Sequence, residues 1–274
     1  MNKKKRKDFS FYTFATLGDE GKYRDYSSRY LALKDNLLSF GFELHLIRLT
    51  DLVFDMNVTQ RRIVDLKKGV GYWTWKPNAL LYALAHCKTE YTIYIDCDLF
   101  FASDPTDTLE NAFKESNLVL YKQSVPLASN TSATCMSYFD VPSKNEFSMW
   151  SASLIGFRKH DKELEDFLYR WKDYCSDPKL LIEPLSDLTR RHRHDQSILS
   201  CLIAKQEFRV SDLGHGFYSK GPENRNTNPN TRVVIHGENR EAGKLVLRRI
   251  KEMIGFSFHK VSLVVWKIKN KGLV

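Results

Sequence analysis

Two carboxylates one residue apart, Asp96 and Asp98, close the run Tyr91-Thr-Ile-Tyr-Ile-Asp-Cys-Asp98. The β-branched and aromatic stretch before them has the composition of a buried strand. Open α/β sheets place their ligand crevices at the carboxyl ends of strands. On the turn just after such a strand, both side chains can converge on one cation and leave positions for phosphate oxygens. Hard anionic oxygens of this kind suit Mg²⁺ or Mn²⁺ held jointly by protein and nucleotide. An Asp-x-Asp pair is also compatible with a plain acidic turn, so its neighbours decide.

Just upstream lies Gly69-Val-Gly-Tyr-Trp-Thr-Trp-Lys-Pro-Asn-Ala-Leu80. Flexible glycines and two Trp lead into a Pro placed to start a helix over residues 78–85. Lys76 at the amino end of that helix would join its free N–H groups in an anion site, a nucleotide-phosphate contact. Trp73 and Trp75 are core residues by default. Further along, Asp195 and Gln196 precede a stripe of Ile198, Leu199, Leu202 and Ile203, which places both in the first turn of a helix. Asp195 is there either a plain cap or a catalytic carboxylate. His236 ends an apolar strand after a Pro- and Asn-rich loop over 221–231, and is the expected third ligand of the cation. Thr16, at the end of the first strand, is a further expected nucleotide contact.

The order Gly-Tyr-Trp-x-Trp-Lys-Pro, strand plus Asp96-x-Asp98, Trp150-Ser-Ala-Ser-Leu-Ile-Gly-Phe157 and His194-Asp-Gln-Ser-Ile-Leu-Ser200 resembles microbial polysaccharide glycosyltransferases of the GT-A fold. The Asp195-Gln196 step and the late His236-Gly237 are also similar to family-8 sugar transferases. Ser197 departs from that family's usual Asp-Gln-Asp. The resemblance runs from about residue 69 to 237. It implies a nucleotide-diphosphate sugar donor, UDP-linked, with Mn²⁺ or Mg²⁺. It further implies a glycan or lipid-linked acceptor in surface polysaccharide synthesis, and sugar contacts from Trp150 and Ser151. Asp195 would act as base in an inverting transfer and Gln196 would stabilise the sugar cation in a retaining one. The resemblance favours retention.

The elements that must position these residues can be read from periodicity. Strands are expected over 11–16, 43–49, 91–95, 118–121 and 153–157, and helices over 26–40 and 106–115. Asp161 should cap a helix carrying Leu164, Phe167, Leu168 and Trp171 on one face. Residues 122–149, rich in Ser, Thr, Asn and Pro, read as a long functional loop. The β-α-β opening predicts an α/β fold with a mostly parallel central sheet flanked by helices, and the resemblance implies that it is a single GT-A-type Rossmann-like domain.

The net charge of +9 is unevenly placed. Residues 1–8 carry +4, residues 244–274 carry +7 and the 235 residues between them carry −2. A neutral body excludes the spread positive face of a nucleic-acid binder. The chain is therefore expected to divide into a basic extension (1–8), a catalytic body (9–243) and a basic amphipathic segment (244–274). In that last segment cations alternate with Leu245, Leu247, Ile250 and Phe256, as in a segment lying on anionic lipid. No stretch reaches the roughly 20 apolar residues of a membrane span. Five scattered cysteines read as reduced thiols. A cytoplasmic protein held peripherally at the membrane is expected. The competing classes are a nucleotidyltransferase, for which the Gly18 turn is a poor phosphate loop, and a non-catalytic membrane-binding adaptor, against which the acidic constellation argues.

Overall fold

A computed structural model of the chain describes residues 9–18, 23–66, 68–99, 101, 103–142, 146–182, 191–206 and 208–214. The elements run β1 (Phe9–Phe14), α1 (Ser27–Ser39), β2 (Leu44–Ile47), α2 (Leu49–Leu52) with a 3₁₀ turn (Val53–Asp55), α3 (Val58–Val64), the single turn α4 (Gly69–Tyr72) and α5 (Lys76–His86). They continue as β3 (Tyr91–Ile95), α6 (Thr106–Glu115), β4 (Leu118–Pro126), α7 (Ala133–Tyr138), β5 (Ser148–Arg158), α8 (Lys162–Cys175), α9 (Pro178–Leu181), α10 (Asp195–Gln206) and β6 (Val210–Asp212).

Six strands form one sheet in the order β2-β1-β3-β5-β4-β6. β1 pairs in parallel with β2 and β3, and β4 in parallel with β6, while β5 runs against both β3 and β4. Five strands thus share one direction, and the carboxyl ends of β1 and β3 lie side by side. This is a Rossmann-like α/β arrangement.

The strands are apolar on both faces because helices cover both. Along β1, Phe9 and Phe11 enter one core with Leu33 and Leu37 of α1 and Leu109 and Phe113 of α6. Tyr12 and Phe14 enter the other, with Leu80 of α5, Trp171 of α8 and Leu199 of α10. The period of two along the strand therefore feeds two separate cores. Asp161 caps α8 as its position requires, its carboxylate accepting from the Leu164 N–H at 3.0 Å.

Three expectations need correcting. Residues 122–149 are not one loop: β4 continues to Pro126, α7 occupies Ala133–Tyr138 and β5 already begins at Ser148. Register shifts in the β4–β5 pairing, between Leu120 and Tyr121 and between Lys122 and Pro126, break the alternation that would have marked the strand. The helix after the Trp-rich string begins at Lys76, so Pro77 lies inside its first turn. The glycines of that string are fixed by packing: Gly71 has φ +77°, and a Cβ there would lie 2.4 Å from the Val64 Cα. The five cysteines are free thiols. Among the described residues no helix is long and apolar enough to cross a membrane. His236 and the expected segments 1–8 and 244–274 lie outside the described residues.

Candidate active site

β3 ends at Ile95, and the chain turns at once. The Asp96 N–H donates to the Ser153 carbonyl of β5 at 2.8 Å, and the Leu99 N–H donates back to the Asp96 carbonyl at 3.0 Å. This turn carries both carboxylates to the rim of a cleft of about 920 Å³. Asp96 faces inward, accepting from the Tyr94 hydroxyl at 2.8 Å and from Lys76 Nζ at 2.9 and 3.1 Å. Asp98 is 48% exposed and sits 3.6 Å from the buried Arg29 guanidinium of α1.

Lys76 is only 3% exposed. Its ammonium also donates to the Ala152 carbonyl at 3.0 Å and lies 3.9 Å from Asp195 Oδ2. Burial, the largest influence on Lys76, pushes its pKa down, but Asp96 and then Asp195 outweigh it and hold the group above its ordinary value. In the structure, then, Lys76 is the internal counter-ion of two carboxylates.

Asp195, at the first residue of α10, is 4% exposed, and its Oδ2 accepts no hydrogen bond. Burial pushes its pKa up to about 7; Lys76 opposes the rise and Asp96 adds to it. A carboxyl poised near neutrality in a cleft suits general-base chemistry. Its neighbour Gln196 donates from Nε2 to Gln123 Oε1 at 3.0 Å, and the same oxygen accepts from Arg193 Nη1 at 2.7 Å. Gln123, on the irregular part of β4, therefore couples the strand to the start of α10.

A second wall is built from the Trp-rich string. Val70, Tyr72 and Trp73 have φ of 51°, 54° and 62°, and His194 opposite them has φ 51°. Left-handed backbone at four non-glycine residues, one of them β-branched, is strain that the surrounding contacts must hold. They do. Trp75 Nε1 donates to the Gly69 carbonyl at 3.0 Å, Thr74 Oγ1 to the Cys175 carbonyl at 2.7 Å and Gln60 Nε2 to the Thr74 carbonyl at 3.2 Å. The His194 ring packs against Tyr72 and Trp73 with centroids 4.8 and 5.8 Å away. Burial lowers the His194 pKa to about 4; the Leu181 carbonyl, which pairs with Nδ1, opposes this, and Lys68 and His192 add to it.

The structure thus brings Lys76, Asp96, Asp98, Asp195 and Gln196 to one cleft. Thr16 is buried behind it: its hydroxyl donates to the Arg24 carbonyl at 2.6 Å and its own carbonyl accepts from the Tyr26 N–H, pinning the loop from which Arg24 and Tyr26 reach the cleft. Trp150 and Ser151 are not among the cleft-lining residues; the next two residues of β5, Ala152 and Ser153, are. Trp150 packs on the core and its N–H donates to Ser200 Oγ at 2.9 Å, while Ser151 is buried. Sequence reasoning missed Tyr94, Arg29, Gln123, Arg193, His192 and His194. Only His194, beside the Asp-Gln step, carried a local signal.

Two hard carboxylates on one rim, one half-exposed, fit a divalent cation shared with a ligand, and the buried Asp195 Oδ2 nearby accepts no hydrogen bond. Among the described residues there is no group of three or more His, Cys, Asp or Glu side chains arranged to hold a metal ion. Asp96 and Asp98 are the pair that could do so with a phosphate-bearing ligand.

Among solved structures, the chain is similar to the apo form of mouse xyloside xylosyltransferase 1, at 11% identity and a TM-score of 0.47, with 85% of this chain and 98% of that one covered. It is also similar to the apo bifunctional glycosyltransferase WbbM, at 10% identity and a TM-score of 0.48, covering 80% of this chain and 40% of that one. A third is the apo glycosyltransferase GlyE of Streptococcus pneumoniae TIGR4, at 14% identity and a TM-score of 0.41, covering 76% of this chain and 46% of that one. In the last two the match spans less than half of the other chain. No protein-family model matches the chain, and no curated protein matches its sequence.

Proposed function

We propose that the protein is a metal-dependent glycosyltransferase that moves a sugar from a nucleotide diphosphate, UDP-linked, to a glycan or lipid-linked acceptor. The observation that carries this reading is the convergence of Asp96 and Asp98, at the end of β3, with buried Lys76 and Asp195 in one cleft.

In this reading Asp96 and Asp98 hold Mn²⁺ or Mg²⁺, with His236 as the third protein ligand expected from the sequence. When bound, the cation supplies Lewis acidity to the departing diphosphate. Lys76 keeps Asp96 oriented and its charge balanced, so that the carboxylate needs no reorganisation when donor arrives. The bond from the sugar anomeric carbon to the diphosphate oxygen breaks, and a bond to an acceptor hydroxyl oxygen forms. The hydroxyl proton passes to Asp195 in an inverting transfer, which a carboxylate with a pKa of about 7 can accept. In a retaining transfer the Gln196 carbonyl oxygen faces the developing sugar cation, its amide end being tied to Gln123.

The test is a panel of nucleotide sugars assayed for slow hydrolysis to free sugar. One diphosphate donor should turn over with Mn²⁺ and stop with a chelator. Turnover of none, or turnover indifferent to chelation, contradicts the reading.

The acceptor is proposed to belong to surface polysaccharide synthesis at the cytoplasmic face of a membrane, where the basic segment 244–274 would hold the enzyme on anionic lipid. Sedimentation with anionic vesicles at low salt, lost on removal of residues 244–274, is the expected result. Failure of the full chain to sediment removes this part of the proposal.

A further inference from the structure

Among the described residues, the charges lining the cleft are unequal in number. The lining carboxylates are Asp96, Asp98 and Asp195, against Arg24, Lys68, Lys76, Arg191 and Arg193. Lys76 is committed to Asp96 and Asp195. Asp98 has its own partner in Arg29, which is not a lining residue. Arg24 shares the Tyr26 ring with Arg29, and Arg193 donates to Gln123, which leaves Lys68 and Arg191 as the lining cations in no ion pair with a described residue. Lys68 sits over the Tyr72 ring, 5.3 Å from its centroid. Tyr72 packs on His194, and His194 meets His192 at 5.4 Å between centroids. Arg191 follows directly before His192 in the chain. Lys68, Trp73, His192, His194 and Arg191 thus line the cleft together, mixing cations with aromatic rings.

That wall is held with strained backbone at Val70, Tyr72, Trp73 and His194, and a Cβ at Gly69 would meet the Trp73 ring at 2.6 Å. Backbone strain of this kind clusters at active sites and ligand clamps. A diphosphate donor bridged to a divalent cation has most of its charge already neutralised at the Asp96–Asp98 rim. It does not call on Lys68 or Arg191. Apolar ring surface beside cations suits a sugar that carries a negative group: the ring covers C–H faces and the cations pair with the anion.

We infer that the acceptor is an anionic glycan, whose carboxylate or phosphate is held by Lys68 and Arg191 beside Trp73. This rests on the glycosyl-transfer reading for the word acceptor, but not for the binding it describes.

The test uses the full chain saturated with UDP and Mn²⁺, titrated with methyl β-glucuronide, glucose 6-phosphate and methyl β-glucoside and followed by ligand-detected NMR. At least one anionic sugar should bind about tenfold more tightly than the neutral glucoside, and the preference should shrink as salt rises. Glucuronide preference identifies a uronate source, and glucose 6-phosphate preference a phosphorylated one. Lys68→Gln and Arg191→Gln should each reduce the preference, and Lys68→Arg should keep most of it. Equal binding of charged and neutral sugars overturns the inference. So does displacement of the anionic sugar by UDP, which would assign these cations to the donor. Failure of UDP itself to bind contradicts the proposed function instead. The sugar titration repeated without nucleotide then still decides whether the wall selects anions.

Discussion

Lys76 Nζ lies 2.9 Å from Asp96 Oδ1 and 3.9 Å from Asp195 Oδ2, deep in the wall between α5, β3 and α10. One ammonium therefore balances two carboxylates that come from sequence positions 99 residues apart. Removing one member of a buried ion pair is far more damaging than the pair's net worth, because the remaining charge has lost its water as well as its partner.

It follows that Lys76→Met should destabilise the protein by about 3 kcal/mol, read by urea unfolding at pH 8. Because Asp195 takes up a proton near neutrality, the loss should be smaller at pH 6, where a neutral carboxyl no longer needs the ammonium. A loss below about 1 kcal/mol at both pH values would mean that the pair is solvent-screened and not structural.

His194 gives a second pH dependence, of known sign. Its folded pKa, about 4, is below the ordinary 6.5, so the unfolded chain takes up the proton first as pH falls. Stability from this group is complete above about pH 6.5 and is lost as pH drops toward 4. Between pH 7.5 and 5 the loss should be about 2 kcal/mol for the native chain, and His194→Gln should abolish that component. An unchanged slope in the variant would refute the assignment.

Gly71 and Gly214 provide an internal control for the strained wall. Both have φ +77°, but a Cβ on Gly71 meets the Val64 and Ile63 backbone at 2.4–2.6 Å, whereas one on Gly214 meets none of the described residues within 4 Å. Gly214→Ala should cost about 1 kcal/mol from the backbone alone, and Gly71→Ala at least about 2 kcal/mol more from overlap. Equal effects would show that the wall yields.

How much of this was legible follows from which signals are local. β3 and α6 fall where the sequence puts them, and Asp161 caps α8, because alternation, helical spacing and caps are properties of adjacent residues. The stretch 122–149 failed because bulges scramble the period of β4, and α7, six residues long, is too short to show one. At the site, Asp96, Asp98, Lys76, Asp195 and Gln196 stood out by type and order. Arg29, Tyr94 and Gln123 did not, since each acts through a contact made only by the fold: Arg29 from an amphipathic helix, Tyr94 as a strand residue indistinguishable from core, Gln123 from the supposed loop. The Lys76–Asp96 pairing was equally hidden, because nothing in residues 76 and 96 taken singly says that they meet.

Gln123 Oε1 accepts from both Gln196 and Arg193. Gln123→Leu should therefore lower kcat more than it raises KM for the donor, because Gln196 loses its orientation while the phosphate-binding rim is untouched. A change confined to KM would place Gln123 in donor binding instead.

Asp98 offers the most direct access to the central claim. Asp96 is tied to Lys76 and Tyr94, so its replacement disturbs the fold, whereas Asp98 is half-exposed and lies 3.6 Å from the Arg29 guanidinium. The decisive measurement is calorimetric titration of UDP into the native chain and into Asp98→Ala, each with Mn²⁺ and with a chelator. The account predicts that Mn²⁺ tightens UDP binding to the native chain at least about tenfold and does nothing for Asp98→Ala, whose thermal unfolding stays near native. Equal affinity of the native chain with and without the cation, or a full Mn²⁺ response in Asp98→Ala, would contradict it.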